Sequence, residues 1–338
     1  TIAIGDETIT AKNLIIATGS SPTILPIPGL KEALASGDAV TSTGALEYSE
    51  IPKHLIVVGG GVIGIEFAAL FSSLGSEVTV LEKFSILNGL DGDIQKQMQR
   101  ILKRKGVTIY EGADIQRIEG SKVTAQVGEK VHEFSGDSIL VSLGRRPNLG
   151  AVEALSLELE KGGIKTNSKM ETSIPGVYAI GDVNGKQMLA HTASAEGIAA
   201  VENILGGLAT IDYDKIPACV YSFPEIAVVG LTEKEAQARG YAVQTGMFPF
   251  AANGKALAEG ETDGFVKIVA DKQYGEVLGV HIMGPHATDL ISEAAAAVQL
   301  ESTLHDLART VHPHPTLSEA VMEAAHVALE QPIHVAKR

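Results

Sequence analysis

From Leu55 to Glu82 the hydrophobic pattern changes period twice. Leu55, Ile56, Val57 and Val58 form a continuous apolar run of the kind that fills a strand buried on both faces. A glycine turn and a helix ending at Gly75 follow, and Val78 and Val80 then alternate along a second strand that closes at Glu82. Upstream, Thr1 to Ile4 and Lys12 to Ala17 read as strands, and the second runs into Thr18-Gly19-Ser20-Ser21-Pro22. Residues 23–52 carry proline and glycine punctuation and read as a connector with short helical pieces. Downstream, Asp93 is placed to cap a helix in which Ile94, Met98, Ile101 and Leu102 recur at helical spacing before Gly106. Val107 to Tyr110 reads as the next strand, followed by two or three short alternating strands that include Val123 to Val127 and Lys130 to Phe134, then by the apolar strand Ile139 to Leu143. Val177 to Ile180 is a buried-type strand ending in Gly181-Asp182, and a small-residue helix is expected over Ala193 to Leu205.

Beyond Ile216 the texture shifts to closely spaced strands (Ala227 to Val229, Val243 to Phe248, Phe265 to Ala270, Val277 to Met283), which predicts an antiparallel sheet and a separate domain. Three helices close the chain, near Thr288 to Leu300, Thr303 to Thr310 and Leu317 to Leu329. No internal repeat of short period and no low-complexity tract interrupts this order.

The turn between the first two strands is Gly59-x-Gly61-x-x-Gly64. Gly59 suits a tight turn, Gly61 lets a pyrophosphate approach bare backbone at the positive end of the helix, and Gly64 lets the helix pack close to the sheet. Glu82, 21 residues beyond Gly61, stands where an acid would accept hydrogen bonds from an adenosine ribose. The competing explanation is a buried helix–strand pair whose glycines serve packing alone. A net charge of −14 disfavours nucleic acid or anionic lipid as a partner, since both would repel the chain. With 45% hydrophobic residues in 338, two or three domains of a soluble globular protein are expected, and no apolar run reaches the length of a membrane span. Cys219 is the only cysteine, so no disulfide forms within one chain; it lies beside Val220 and Tyr221 in an apolar strand and reads as an inert core thiol.

The chemically richest stretch is His312-Pro313-His314-Pro315-Thr316-Leu317-Ser318-Glu319. His314 with Glu319 could form an acid/base dyad, in which a carboxylate on one ring nitrogen strengthens the other as a base. Thr316-x-x-Glu319 also fits a capping box for the last helix, and His312 with His314 could share a metal, although no nearby thiol or carboxylate completes a ligand set. Asp182 could accept a hydrogen bond from a sugar or ribityl hydroxyl at the end of its strand, and Thr18-Gly19-Ser20 closes a strand in the same way. Taken singly, each of these two is an ordinary polar turn.

In order along the chain, AKNLIIATGSSP, VVGGGVIGIEFA, LEK, SLGRRPN, VYAIGDV, MLAHTASAEG, YSFPEIAVVGLTE and VHPHPTLSEA resemble the pyridine nucleotide-disulfide oxidoreductases over essentially the whole length. Within that family, the paired histidines before Pro315-Thr316 are similar to the branch that oxidises dihydrolipoamide. The resemblance implies an α/β, Rossmann-like flavoprotein fold with two dinucleotide-binding domains, N-terminally incomplete, and a C-terminal α+β dimerisation domain. Residues 1–22 with 147–215 would be the remnant of the FAD-binding domain, 23–146 the NAD-binding domain and 216–338 the dimerisation domain. NAD contacts are implied at Gly59, Gly60, Gly61, Val62, Ile63, Gly64, Glu66, Glu82, Ile115 and Gly144. FAD contacts are implied at Thr18, Gly19, Ser20, Asp182, Met188, Leu189, Ala190 and His191. His314 resembles the acid/base residue, oriented by Glu319 and serving the active site of the opposite subunit of a homodimer. NAD is implied over NADP, because a 2′-phosphate asks for a basic cluster and only Lys83 is adjacent. Family members begin with an FAD-binding unit carrying a C-x-x-x-x-C pair, so FAD and the redox disulfide are expected of the longer parent, and this chain alone is expected to be inactive. Dihydrolipoamide or a lipoyl domain is the implied partner, in the cytoplasm or, in a eukaryote, the mitochondrial matrix.

Overall fold

The computed structural model describes residues 1–337, which divide into two compact units. One comprises Thr1–Ile24 with Gly144–Tyr213, the other Leu25–Leu143 with the chain from Asp214 onward.

The larger unit is built on two sheets. The first is wholly parallel, in the order Ala39–Val40, Ser138–Val141, His54–Val58, Glu77–Glu82, Thr108–Glu111. Leu55 to Val58 lie in its centre with no exposed surface, as their unbroken apolar run requires. The helix Val62–Ser73 covers one part of it, and the amphipathic helix Gly92–Arg104 buries Ile94, Met98, Ile101 and Leu102 on one stripe. The cap of that second helix is Asp91, whose carboxylate accepts the Asp93 amide, and not Asp93. Asp93 falls inside the first turn, where its own carboxylate bonds Lys267. A three-stranded antiparallel meander, Ala113–Glu119, Lys122–Val127 and Lys130–Ser135, follows the parallel sheet; its first strand is longer than the short alternating runs that the sequence suggests.

The second sheet is antiparallel, in the order Ala218–Val220, Glu225–Gly230, Val277–Gly284, Phe265–Asp271, Val243–Pro249. Every residue of Phe265–Asp271 and Val277–Gly284 is buried, because both faces are covered. Helices Ala287–Gln299 and Glu319–Ala328 lie on one face. A β-carbon at Gly246 would stand 2.1 Å from the Ala324 carbonyl oxygen, so only glycine lets the last helix sit flush on its strand. Val220, Ile226, Phe265 and Met283 pack into the same core as Leu55, Val57, Phe67 and Phe71. The nucleotide-type sheet and the antiparallel sheet therefore share one hydrophobic interior, although the change in sequence texture at residue 216 suggests a separate body.

The smaller unit holds only two-stranded pieces. Leu14–Ile16 pairs in parallel with Val177–Ala179, and Ser20–Pro22 pairs antiparallel with Arg145–Pro147. Ile16, Ile164, Ala179 and Val183 form one small core, and Met170, Tyr178 and Ala200 another. Its helix spans Ala190–Ile204, three residues earlier than the pattern indicates, which puts Ala190 and His191 in the first turn.

Candidate functional site

The three fingerprint glycines do three different things. Gly59 has φ +107°, and a β-carbon there would come within 2.5 Å of the Ser142 carbonyl oxygen. At Gly64 a β-carbon would meet the Gly59 carbonyl oxygen at 1.9 Å, so the helix is pressed against the turn. At Gly61, the residue that opens helix Val62–Ser73, a β-carbon meets nothing within 4 Å. No side chain caps that helix, so its first amides have no side-chain acceptor, which is the condition an anion site at a helix start requires. The residues present thus fit a pyrophosphate lying on bare backbone.

Glu82 is bound into the turn. One carboxylate oxygen accepts the Gly60 amide at 2.6 Å, and the other accepts the Phe84 amide at 2.8 Å. Beside it, Lys83 is paired with Asp114 at 2.8 Å. Glu66 accepts the Tyr221 amide at 2.8 Å; burial pushes its carboxyl pKa up, and that amide opposes the shift. Its carboxylate ties the fingerprint helix to the loop after Ala218–Val220. Val62 is partly exposed at the helix start, Ile63 packs against the core, and Ile115 pairs with Ala125 where the meander shifts register. Gly144, at φ +91°, belongs to the smaller unit, where its carbonyl accepts the Thr23 amide.

In the smaller unit Asp182 and the Thr18-Gly19-Ser20 loop are drawn together. Ser20 Oγ donates to Asp182 Oδ2 at 2.5 Å, and Arg145 Nε donates to Ser20 Oγ at 2.7 Å. Asn148 clamps the same loop, accepting from the Thr18 and Ser21 hydroxyls through its backbone and side-chain oxygens and donating to the Thr18 carbonyl. Gly181 packs against the helix that follows Met188 and Leu189, where a β-carbon would touch Ala193 at 3.1 Å. Underneath lies Glu196, with no exposed surface. It accepts the Gly181 amide at 2.5 Å, the Asn184 side chain at 2.9 Å and the Tyr213 hydroxyl at 2.5 Å. Burial, then the Glu196 carboxylate, drives the Tyr213 phenol pKa upward and keeps it a donor. Sequence reasoning missed Arg145, Asn148 and Glu196 as individual residues. Each sits in a quoted motif, but only folding shows that Arg145 and Asn148 brace the Thr18–Ser21 loop while Glu196 braces the Gly181–Asn184 turn.

His314 and Glu319 are paired, with Nδ1 3.0 Å from Oε1. A carboxylate accepts, so Nδ1 carries the proton and Nε2 keeps its lone pair. The other oxygen of Glu319 accepts the Thr316 amide at 2.8 Å. One carboxylate therefore serves both the dyad and the capping geometry that the sequence offers as alternatives, although Ser318, not Thr316, takes the cap position of helix Glu319–Ala328. Burial raises the Glu319 pKa, but the Thr316 amide and the His314 ring outweigh it, and the net shift is downward. His312 is turned to a different carboxylate, Glu293, at 2.7 Å, so the two histidines do not converge on one ion. Cys219 sits between Ala218 and Val220 with its thiol pKa raised by burial and then by Glu225 and Asp289, the opposite of an activated thiolate.

Fold and site together define a dinucleotide-binding oxidoreductase architecture carrying a histidine–carboxylate pair. Residues 3–197 match the pyridine nucleotide-disulphide oxidoreductases and residues 216–325 the dimerisation domain of the same group; the chain belongs to this family. Among its relatives, dihydrolipoyl dehydrogenase of Bacillus subtilis (strain 168) is 45% identical over 340 residues, which cover 97% of this chain and 71% of that protein. Mitochondrial dihydrolipoyl dehydrogenase 1 of Arabidopsis thaliana is 42% identical, with 99% and 67% covered. In structure the chain is similar to LpdA from Mycobacterium tuberculosis (TM-score 0.84, 31% identity, 94% of this chain and 69% of that one). It is also similar to the HOCl-induced flavoprotein disulfide reductase RclA from Escherichia coli (TM-score 0.85, 26% identity, 94% and 74%).

Proposed function

We propose that this chain is the NAD-binding, dimerising and acid/base portion of a dihydrolipoamide dehydrogenase. The observation that carries the reading is the His314–Glu319 pair, whose geometry leaves Nε2 as a base on a largely exposed ring. Oxidising a dithiol to a disulfide releases two protons and two electrons. His314 Nε2 takes a thiol proton as the sulfur becomes a nucleophile, and Glu319 holds the resulting imidazolium through Nδ1. When bound, a nicotinamide nucleotide and a flavin would supply the two-electron acceptor chemistry. Gly59 to Gly64 would hold a pyrophosphate, Glu82 would offer its remaining lone pairs to a ribose, and Lys83, already paired with Asp114, offers no free charge to a 2′-phosphate. Residues 25–143 are assigned to NAD, and Ser20 and Asp182 to the flavin. Dihydrolipoamide-dependent NADH formation, assayed with the residues that supply the redox disulfide present, should fall by about 10² to 10⁴ in His314→Gln. Unchanged turnover would overturn the assignment.

A second reading rests on Cys219. As the sole cysteine, with a raised thiol pKa, it gives this polypeptide no intramolecular partner for thiol–disulfide exchange. On that reading the 338 residues bind NAD and dimerise without turnover. Flavin colour retained through purification of this same chain would count against it.

A further inference from the structure

The segment 310–318 joins helix Leu304–Arg309 to helix Glu319–Ala328, and its two histidines are held in opposite ways. The His314 side chain is 77% exposed; that of His312 is 5% exposed. His312 Nδ1 lies 2.9 Å from the Thr310 carbonyl oxygen, and Nε2 lies 2.7 Å from Glu293 Oε1 on helix Ala287–Gln299. Both ring nitrogens of His312 are therefore engaged, one by the backbone of its own segment and one by a neighbouring helix. His314 has one acceptor, Glu319, and so needs only one ring proton. Two residues apart, one ring is pinned through both nitrogens and the other through one.

This arrangement straps the segment on both sides of His314. Before it, His312 ties the chain at Thr310 to the helix that carries Glu293. After it, Glu319 holds the Thr316 amide, while the Thr316 hydroxyl donates to the Pro313 carbonyl at 2.8 Å. A largely exposed ring has few packing contacts to fix its direction, so the backbone on each side must do so. We propose that His312, held between the Thr310 carbonyl and Glu293, is a positioning residue that presents His314 to Glu319 and leaves His314 Nε2 open. This rests on reading His314 as the acid/base group.

The test is histidine-¹⁵N NMR of the full chain, with each ring assigned by single substitution. His314 in its neutral form should show the Nδ1–H tautomer in excess by about ten to one, as a hydrogen bond to a charged acceptor gives. In Glu293→Gln and in His312→Asn, at unchanged helical circular dichroism, the His314 tautomer ratio should fall toward even. An even His314 tautomer ratio in the unaltered protein overturns the proposal, and the His314–Glu319 reading with it, with no variant needed. So does an unchanged His314 in both variants when Glu319→Gln still shifts it, and in that case the His314–Glu319 reading survives. If Glu319→Gln also leaves His314 unmoved, both fall.

Discussion

A methyl group added at Gly61 enters open space, whereas one added at Gly64 collides with the Gly59 carbonyl, and the two substitutions should therefore part company. Gly61→Ala is expected to keep the melting temperature and weaken NADH binding at least tenfold by calorimetry, because it fills the space a diphosphate needs. Gly64→Ala should instead lower the melting temperature, since the helix must move off the turn. Equal losses of stability would mean that both glycines serve packing only. Glu319 yields a prediction in pH. Its folded pKa is depressed, so its bonds to Thr316 and His314 contribute stability above the carboxylate's unfolded value, and this is lost as pH falls through the depressed one. Glu319→Gln should destabilise the chain by on the order of 1 to 3 kcal/mol near neutrality, and the difference should close in strong acid. A gap that stays constant down to pH 2 by denaturant titration would remove the ionised carboxylate as its cause. Glu82 marks where residue-level reading stops. Its distance from Gly61 identifies an acid at the strand end, but not that its two oxygens are already bonded to Gly60 and Phe84.

Helices and strands in the larger unit are joined by charge as well as by apolar contact. Lys267, in the middle of Phe265–Asp271, is buried, and its ammonium meets Asp91 at 3.1 Å, Asp93 at 2.7 Å and Glu233 at 3.0 Å. One side chain thus joins the cap of helix Gly92–Arg104 to the antiparallel sheet. Burial opposes its charge, but Asp93, Glu233 and Asp91 outweigh that and drive the Lys267 pKa upward. Lys267→Met leaves Asp91 buried without its cation and is expected to cost about 3 to 5 kcal/mol, read as a lower denaturant midpoint. Pairing it with Asp91→Asn should recover part of the loss, and strict additivity of the two would argue against a direct pair. Nothing periodic announces this network. Asp91 and Lys267 are 176 positions apart, and a lysine in an otherwise apolar strand looks like a solvated edge until the partner helix is in place. By contrast, the parallel strands, the amphipathic helix and the last three helices are legible because burial on one stripe or both faces leaves its period in the chain. The braces Arg145, Asn148 and Glu196 carry no such period, since each acts through individual polar bonds to residues distant in sequence. The same holds for Asp91, the observed cap, which bonds Lys267 as Asp93 does.

For the whole molecule, charge and surface oppose each other. The match to a dimerisation domain over 216–325 contains Leu300 and Val311, which are 77% and 92% exposed, and Val311 adjoins the His312–His314 segment. A pair of copies burying such groups gains apolar contact, yet each copy brings a net charge of −14, and like charge across a two-fold interface is repulsive. Dimerisation should therefore tighten as salt is raised from about 10 mM to about 150 mM, because the screening length shortens from roughly 30 Å to roughly 8 Å. Sedimentation equilibrium checks this directly, and weaker association at high salt would mean that complementary ion pairs, not apolar contact, hold the copies. Val311→Asp adds charge where an apolar surface is wanted, so it should shift the equilibrium toward monomer while leaving the melting temperature of dilute, monomeric protein unchanged. NADH affinity should survive that shift, because Gly59 to Gly64 and Glu82 belong to one unit of one chain. The His314 function proposed above should not survive it, since that group is assigned to the opposite copy. Loss of both properties together on dissociation would imply that the nucleotide site itself needs the second chain.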